Sequence, residues 1–469
     1  MEGRQEEQLA LSRRRFIQTG LAAGGALAAG SVLAACGGSS GGGTSSAAAG
    51  STAAAGAASG TGTEDLKGTG QIIIGGFEDG ALEPFKKVIL PLFTQETGIK
   101  TQFLLEPYDS FFSKAFQDGT SKSGQFDIYI MDDPWIPQYA AGGVLEPLEQ
   151  YGLTAEDTYP APFIDLGFWP PKSGPRVKGF EDQDPTLVAL PTIGDLQTLT
   201  YRNDVFTGGA PKTYDEFVKT AGDAQKAGKI KYGYVFRGVK GNPIVGSWWP
   251  VMQSYGADMF DDKWEPIFNS AEGKASAAFL LQQLKAIAPP DVAEYNSDQE
   301  GAAILGGDAA AAIQYSGAAI KSDDPAQSKA VGKLDFGVTP AQTKAVSQLG
   351  IFIHGVSASA PNKDNAIKFC KWFAQDRIQI ELARSGDLPV KRAGFEDQQA
   401  VSQHRLLPIA LAQLDSGCTP RPRTPDWSEA ELIIGTALNE ALVKGTDGSA
   451  ELDQAAKDVK AKLDSLGYY

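Results

Sequence analysis

Hydrophobic and polar positions fall into readable periods from Gln71 onward. Gln71-Ile72-Ile73-Ile74-Gly75 is a short unbroken apolar run, the pattern of a strand buried on both faces. Phe85, Val88, Ile89, Leu92 and Phe93 then recur at helical spacing, and Gly98 supplies a stop, which predicts a helix over 81–97 packing one apolar stripe on the sheet. Thr101 to Leu105 predicts a strand, Ser110 to Phe116 a helix, and Phe126 to Met131 a third strand. Such alternation is the signature of an α/β layer with a largely parallel sheet. Leu187–Leu190 and Leu196–Tyr201 read as a strand pair around Pro191–Asp195, followed by a helix over 213–227. A second α/β run comes next: a strand at 232–236, helices at 244–255 and 275–288, the latter closed by Pro289-Pro290, and strands at 309–314 and 335–338. The last third is mostly helical, with Ala366, Phe369, Cys370 and Phe373 on one stripe. Two α/β lobes in one chain are expected.

The segment before Gln71 has no such period and reads as an address. Ser12-Arg13-Arg14-Arg15-Phe16-Ile17 resembles a twin-arginine export signal, and the Ala/Gly-rich apolar stretch to Ala35 is short for a bilayer span, so a cleaved signal peptide over 1–35 is expected. Leu33-Ala34-Ala35-Cys36 resembles a lipobox, which would make Cys36 the lipid attachment point. Residues 36–69 are then the acylated cysteine and a Gly/Ser/Ala tether, too poor in apolar side chains to fold, with a coil span of about 30 Å. Gly37-Gly38-Ser39-Ser40-Gly41 matches the nucleophile-elbow pattern, but that motif needs a strand before it and a helix after it, and this tract offers neither.

Composition narrows the partners. A formal charge of −15 and pI near 4.8 argue against nucleic acid, whose binding needs a basic face. Removing the leader takes away four arginines against three glutamates, so the mature chain is more acidic still. Three cysteines without metal-ligand spacing predict neither a structural metal nor a disulfide scaffold, although a Cys370–Cys418 pair is compatible with an extracytoplasmic location. His354 and His404 have no neighbouring ligand pattern. No cofactor is expected.

Over nearly the whole mature chain the residues resemble the family 1 extracellular solute-binding proteins. The resemblance is carried by Leu145-Glu146-Pro147-Leu148 after Ala141-Gly142-Gly143, by Pro191 to Asn203 ending in Thr200-Tyr201-Arg202-Asn203-Asp204, and by Pro211-Lys212-Thr213-Tyr214-Asp215-Glu216-Phe217. Gly256-Ala257-Asp258, Asp335-Phe336-Gly337-Val338-Thr339-Pro340, and Ser359 to Ala366 leading to Phe369 and Trp372 complete it. It implies a two-lobed binding-protein fold with hinge crossovers near Pro191–Asp195 and Gln348–Gly350. The N-terminal lobe would span 70–192 plus 349–400 and the C-terminal lobe 193–348 plus 401–469. It also implies a monomer outside the bacterial cytoplasm that captures a sugar, oligosaccharide or polyol and delivers it to the permease subunits of an ABC transporter, without catalysis.

A sugar needs carboxylates or amides for its hydroxyls and rings for its C–H face. The candidates are Asp133 and Trp135 at the carboxyl end of the third strand, where ligands of open sheets lie. Glu78 and Asp79 beyond the first strand are implied by the resemblance. Asp195 and Gln197 lie at the crossover, Trp248, Trp249, Tyr255 and Tyr315 in the second lobe, Gly350 at the second crossover, and Trp427 after a Pro-rich loop. Adjacent tryptophans on a helix point about 100° apart, so at least one of Trp248 and Trp249 is expected in the core. Asp132 and Asp133 also fit a helix cap, Trp427 a helix staple, and Trp372 a structural role. Well-known family members carry Gly-Pro-Trp where this chain has Gln314-Tyr315-Ser316-Gly317, so that stacking platform is replaced by Tyr315 or lost. The competing readings are a secreted glycoside hydrolase, which would need two opposed carboxyl groups, and the same fold holding a polyamine, an organic anion or a metal complex.

Overall fold

The computed structural model describes residues 66–469. The twin-arginine segment, Cys36 and the tether up to residue 65 lie outside the described residues. Among the described residues there are twelve strands: β1 (Gln71–Phe77), β2 (Lys100–Glu106), β3 (Ile128–Asp132), β4 (Phe168–Trp169), β5 (Thr186–Leu187), β6 (Leu190–Ile193), β7 (Gln197–Arg202), β8 (Ala311–Tyr315), β9 (Leu334–Gly337), β10 (Ser347–Gln348), β11 (Phe352–Val356) and β12 (Cys418–Thr419).

The first sheet has the order β2-β1-β3-β11-β6. β1 runs parallel to β2 and β3, and β11 is antiparallel to both β3 and β6. The apolar runs explain its central position: Ile72, Ile74 and all of Ile128 to Met131 are buried. The predicted 81–97 helix is continuous from Leu82 to Thr97 through a π turn at Phe85–Ile89, and ends at Gly98, whose φ of 81° suits glycine. Gly75 lets helix Tyr108–Ser121 approach β1; a Cβ there would lie 2.7 Å from ring carbons of Phe111 and Phe126.

The second sheet is β8-β7-β9, antiparallel throughout. Two α/β lobes are present as expected, but strand direction differs from the mainly parallel sheets predicted. Alternating helices and strands reveal layer type, whereas direction depends on which strands become neighbours. The 232–236 segment forms only a parallel bridge, Tyr232 to Ala309, with Val235 N–H donating to Ala311 O at 3.0 Å. The expected pairing of 187–190 with 196–201 also fails: β6 joins the first sheet and β7 the second, so the turn between them is a crossing.

That crossing meets the second one. Leu196 bridges Leu349, and Gly350 N–H donates to Asp195 O at 3.0 Å. A third segment comes alongside as β12, which pairs with β10 and leads into 420–426. Helix Trp427–Lys444 then packs on helix Asn242–Ser254 and on the final helix Ser449–Ser465. Cys370 and Cys418 are free, the first buried on helix Lys363–Phe373 and the second 3.2 Å from Ser347 Oγ.

Candidate functional site

The seam between the sheets is formed by strand ends and crossings, and there polar groups are buried together. β3 ends in Asp132, which caps the short turn Asp133–Trp135 by accepting from Asp133 N–H at 3.0 Å. The capping role expected of this pair is therefore real, but it is only part of their use. Arg421, delivered by the third segment, donates Nη1–H to Asp132 Oδ2 at 3.0 Å and Nη2–H to Asp132 Oδ1 at 2.6 Å. Its Nη2 also bonds Asp133 Oδ1. Both members of the Arg421–Asp133 pair are buried, and the Nε–H of Arg421 and Oδ2 of Asp133 have no protein partner. Burial pushes the Asp133 carboxyl up against the pull of Arg421, since one guanidinium faces two carboxylates.

Tyr108, on the first turn of its helix, donates its hydroxyl to Asp132 Oδ2 at 2.7 Å and accepts from Trp135 Nε1 at 3.1 Å. Its ring, 40% exposed, meets Phe77 and Trp135 edge-on with centroids 5.1 and 4.7 Å away. Trp135 is almost wholly buried in this aromatic group, so its indole orients Tyr108 and offers little face of its own. From the other sheet, Tyr315 at the end of β8 bonds Gln348 Oε1 through its hydroxyl, with the Arg237 guanidinium 5.3 Å from its ring centroid. Gln348 Nε2 and Arg237 Nη2 have no protein partner. Glu431 accepts from Asn242 at 2.9 Å and is pushed up to about 7 by burial, with the nearby Arg421 opposing.

Asp195 lies in the first crossing and accepts Ser316 N–H at 2.7 Å. Burial, reinforced by the charge of Asp79, pushes its carboxyl up to about 7. Asp79 itself is exposed and accepts Ala81 N–H at 2.8 Å. Asp387 completes an acidic side of the seam: it is buried, its carboxyl is pushed well up by that burial, and Gly194 N–H donates to the neighbouring Leu388 O at 3.0 Å.

The remaining candidates occupy different surroundings. Gln197 is buried, donating to Gly246 O at 2.8 Å and accepting from Gln348 N–H at 3.3 Å, so it ties helix Asn242–Ser254 to β10. Trp248 and Trp249 are both in the packing: the first donates to Ser276 Oγ at 2.9 Å, the second to Thr419 Oγ1 at 2.7 Å. Trp427 opens its helix with its ring 6.2 Å from that of Trp249 on helix Asn242–Ser254, a contact between helices rather than the staple expected, and its Nε1–H has no protein partner. Tyr255 packs on Phe279, and Glu78 is exposed just past β1. Gly350 makes room for Tyr315; a Cβ would sit 2.6 Å from Tyr315 Cε1. Trp372 is fully buried and donates to Glu96 at 2.7 Å, a structural role as expected.

Sequence reading missed Arg421, Tyr108, Arg237, Gln348, Asp387 and Glu431. A signal for the first was present: Pro420-Arg421-Pro422-Arg423 sets two arginines among prolines in an acidic chain, where fixed backbone holds side chains in one direction. The structure uses both, since Arg423 Nη2–H donates to Leu166 O at 2.8 Å and Phe168 O at 3.1 Å. The seam as a whole offers fixed donors and acceptors, and suits binding by hydrogen bonds.

A model of the family described as bacterial extracellular solute-binding protein matches residues 78–380. The chain is similar to a probable amino-acid ABC transporter periplasmic-binding protein of Sinorhizobium fredii, 24% identical over 385 residues, 80% of this chain and 84% of the relative. It is 26% identical to a mannitol-binding protein of Pseudomonas aeruginosa over 72% of this chain and 79% of that protein. Among solved structures, an ABC transporter solute-binding protein from Agrobacterium radiobacter in complex with ribitol superposes with a TM-score of 0.70 at 25% identity, covering 84% of this chain and 99% of the other.

Proposed function

The chain belongs to the bacterial extracellular solute-binding protein family, and from that premise we propose that it holds a neutral, hydroxyl-rich solute, a polyol or sugar, in the seam between its two sheets and passes it to an ABC permease. Members of this family bind and carry solutes outside the cytoplasm and are not enzymes. One observation supports the ligand class: Asp133 Oδ2, Arg421 Nε, Gln348 Nε2 and Arg237 Nη2 are polar atoms without protein partners around the crossings. A hydroxyl both donates and accepts, so several on one molecule can satisfy such a mixed set without carrying charge into the protein. The mannitol-binding relative and the ribitol complex point the same way.

Lobes at 70–192 plus 349–400 and 193–348 plus 401–469 would close on the solute by bending where residues 195–196 and 349–350 lie side by side, and a solute favours closure only by touching both. Glu78, Asp79, Asp133, Trp135, Asp195, Gln197, Trp248, Trp249, Tyr255, Tyr315, Gly350 and Trp427 remain the proposed ligand-binding set, in which Asp133, Asp195 and Tyr315 have the most direct support from their surroundings. Export through the twin-arginine segment, acylation at Cys36 and a monomeric state complete the proposal. The test is calorimetric titration of the full chain with alditols, hexoses, maltose and amino acids, with the solute recovered and analysed afterwards. Saturable binding of an intact alditol or sugar supports the reading; saturation by an amino acid alone, or recovery of a hydrolysed product, contradicts it.

A further inference from the structure

Arg421 is held from both sides along its own segment. β12 is hydrogen-bonded to β10 beside the second crossing, and Thr419 accepts from Trp249. Two residues beyond Arg421, Arg423 reaches carbonyls on the other side of the seam. Between these fixed points Pro420 and Pro422 restrict the backbone, so the guanidinium has one approach to the end of β3. A guanidinium has five N–H donors in a rigid fork. Nη1 and Nη2 face Asp132, and Nη2 also reaches Asp133, but Nε–H has no acceptor while Asp133 Oδ2 has no donor. A carboxylate aligned fully with the Nε and Nη2 edge would have joined these two atoms in a second parallel bond. Here that bond is unmade although both groups are buried, and leaving such atoms unpaired is costly.

Resting on the solute-binding reading above, we propose that the Arg421–Asp133 pair is the anchor for one hydroxyl of the solute, which accepts from Arg421 Nε–H and donates to Asp133 Oδ2. The pair also selects against acids. A solute carboxylate can accept from Arg421 Nε–H but has no proton to donate to Asp133 Oδ2, so it leaves that buried atom unpaired. An alditol is accepted, and the corresponding aldonate, which differs by a terminal carboxylate, is turned away. Because the third segment alone brings Arg421 to β3, occupancy of the anchor is felt directly by the connection between the lobes.

The experiment is calorimetric titration of the full chain with ribitol and mannitol and with the matching aldonates, using wild type, Arg421→Lys and Asp133→Asn, with unliganded melting temperatures recorded in parallel. Wild type is expected to bind an alditol at least about tenfold more tightly than its aldonate, about the worth of one misplaced charge-assisted hydrogen bond. Arg421→Lys keeps the charge but loses the fork, and should weaken alditol binding about 30-fold or more. Asp133→Asn removes one acceptor and one charge; it should weaken the alditol about tenfold and narrow the alditol-to-aldonate gap. Should Arg421→Lys fail to fold, the gap measured in Asp133→Asn decides. Alditol affinity equal to wild type in either folded variant, or a gap unchanged by Asp133→Asn, overturns the anchor while leaving solute binding intact. Absence of alditol and sugar binding in wild type overturns the solute-binding reading as well.

Discussion

Gly350→Ala probes the crossing most sharply. Gly350 donates its N–H to Asp195 O, and its missing side chain is the space used by Tyr315: a Cβ would lie 2.6 Å from Cε1, 3.2 Å from Cδ1 and 3.3 Å from Cζ. Real contacts of this kind are rarely shorter than 3.4 Å, so the ring must retreat by most of an ångström. It is held where it is: its hydroxyl bonds Gln348, Arg237 stands over its face, and its backbone is paired with Gln197. Overpacking of this sort costs about 1–3 kcal/mol. Tyr315 belongs to the second sheet and Gly350 leads into β11 of the first, so on the proposed hinge opening would relieve the clash and closing would restore it. On that proposal the cost falls on the closed state, and solute affinity should drop about 5- to 150-fold, measured by calorimetry with whichever alditol wild type binds. A double-mutant cycle identifies the cause: in a Tyr315→Ala background, adding Gly350→Ala should cost little further affinity. Wild-type affinity in Gly350→Ala, or an equal loss with and without the tyrosine ring, would refute the reasoning.

Other consequences concern stability and packing. Asp195, Glu300 and Glu431 keep their protons to about pH 7 when folded, whereas an unfolded carboxylate releases its proton near 4. The folded chain therefore holds more protons between those values, and its stability falls as pH rises through that window, by up to about 1.4 kcal/mol per pH unit for each such group. Calorimetric melting of the unliganded chain should be higher at pH 5.5 than at 7.5, and the reverse order would show these carboxyls ionised in place. Glu96→Ala strips the buried Trp372 indole of its acceptor, a loss of about 1–3 kcal/mol read as a lower melting temperature with unchanged solute affinity. Trp248→Phe removes the bond to Ser276 and should also lower the melting temperature; unchanged affinity would take Trp248 out of the proposed ligand-binding set, and weakened affinity would support its place there.

Local physics made the elements legible. The unbroken apolar run of β1, the stripe ending at Gly98 and the cap of helix Tyr214–Lys226, where Thr213 Oγ1 accepts Glu216 N–H, are decided within a few residues. Strand direction in the second lobe and the separation of β6 from β7 were not, because pairing is settled by partners more than a hundred residues away, such as Thr200 with Ala312. The site divides in the same way. The positions of Asp133 and Asp195, at the end of β3 and in the first crossing, were readable from the chain, and both carboxyls prove buried there. For the tryptophans, composition cannot distinguish an indole that faces a cleft from one, like Trp249, whose N–H is bonded to Thr419. Arg421 carried a signal in its proline setting, but its carboxylate partners precede it by nearly three hundred residues and only the fold brings them together.

A crystal structure of the chain grown with the alditol that binds it tests the central claim most directly. Solute enclosed between the end of β3 and the end of β8, in hydrogen-bond contact with groups from both sheets, is the result expected. Solute bound to one sheet alone, or lodged elsewhere on the molecule, for example in the groove between helices Trp427–Lys444 and Ser449–Ser465, would contradict it.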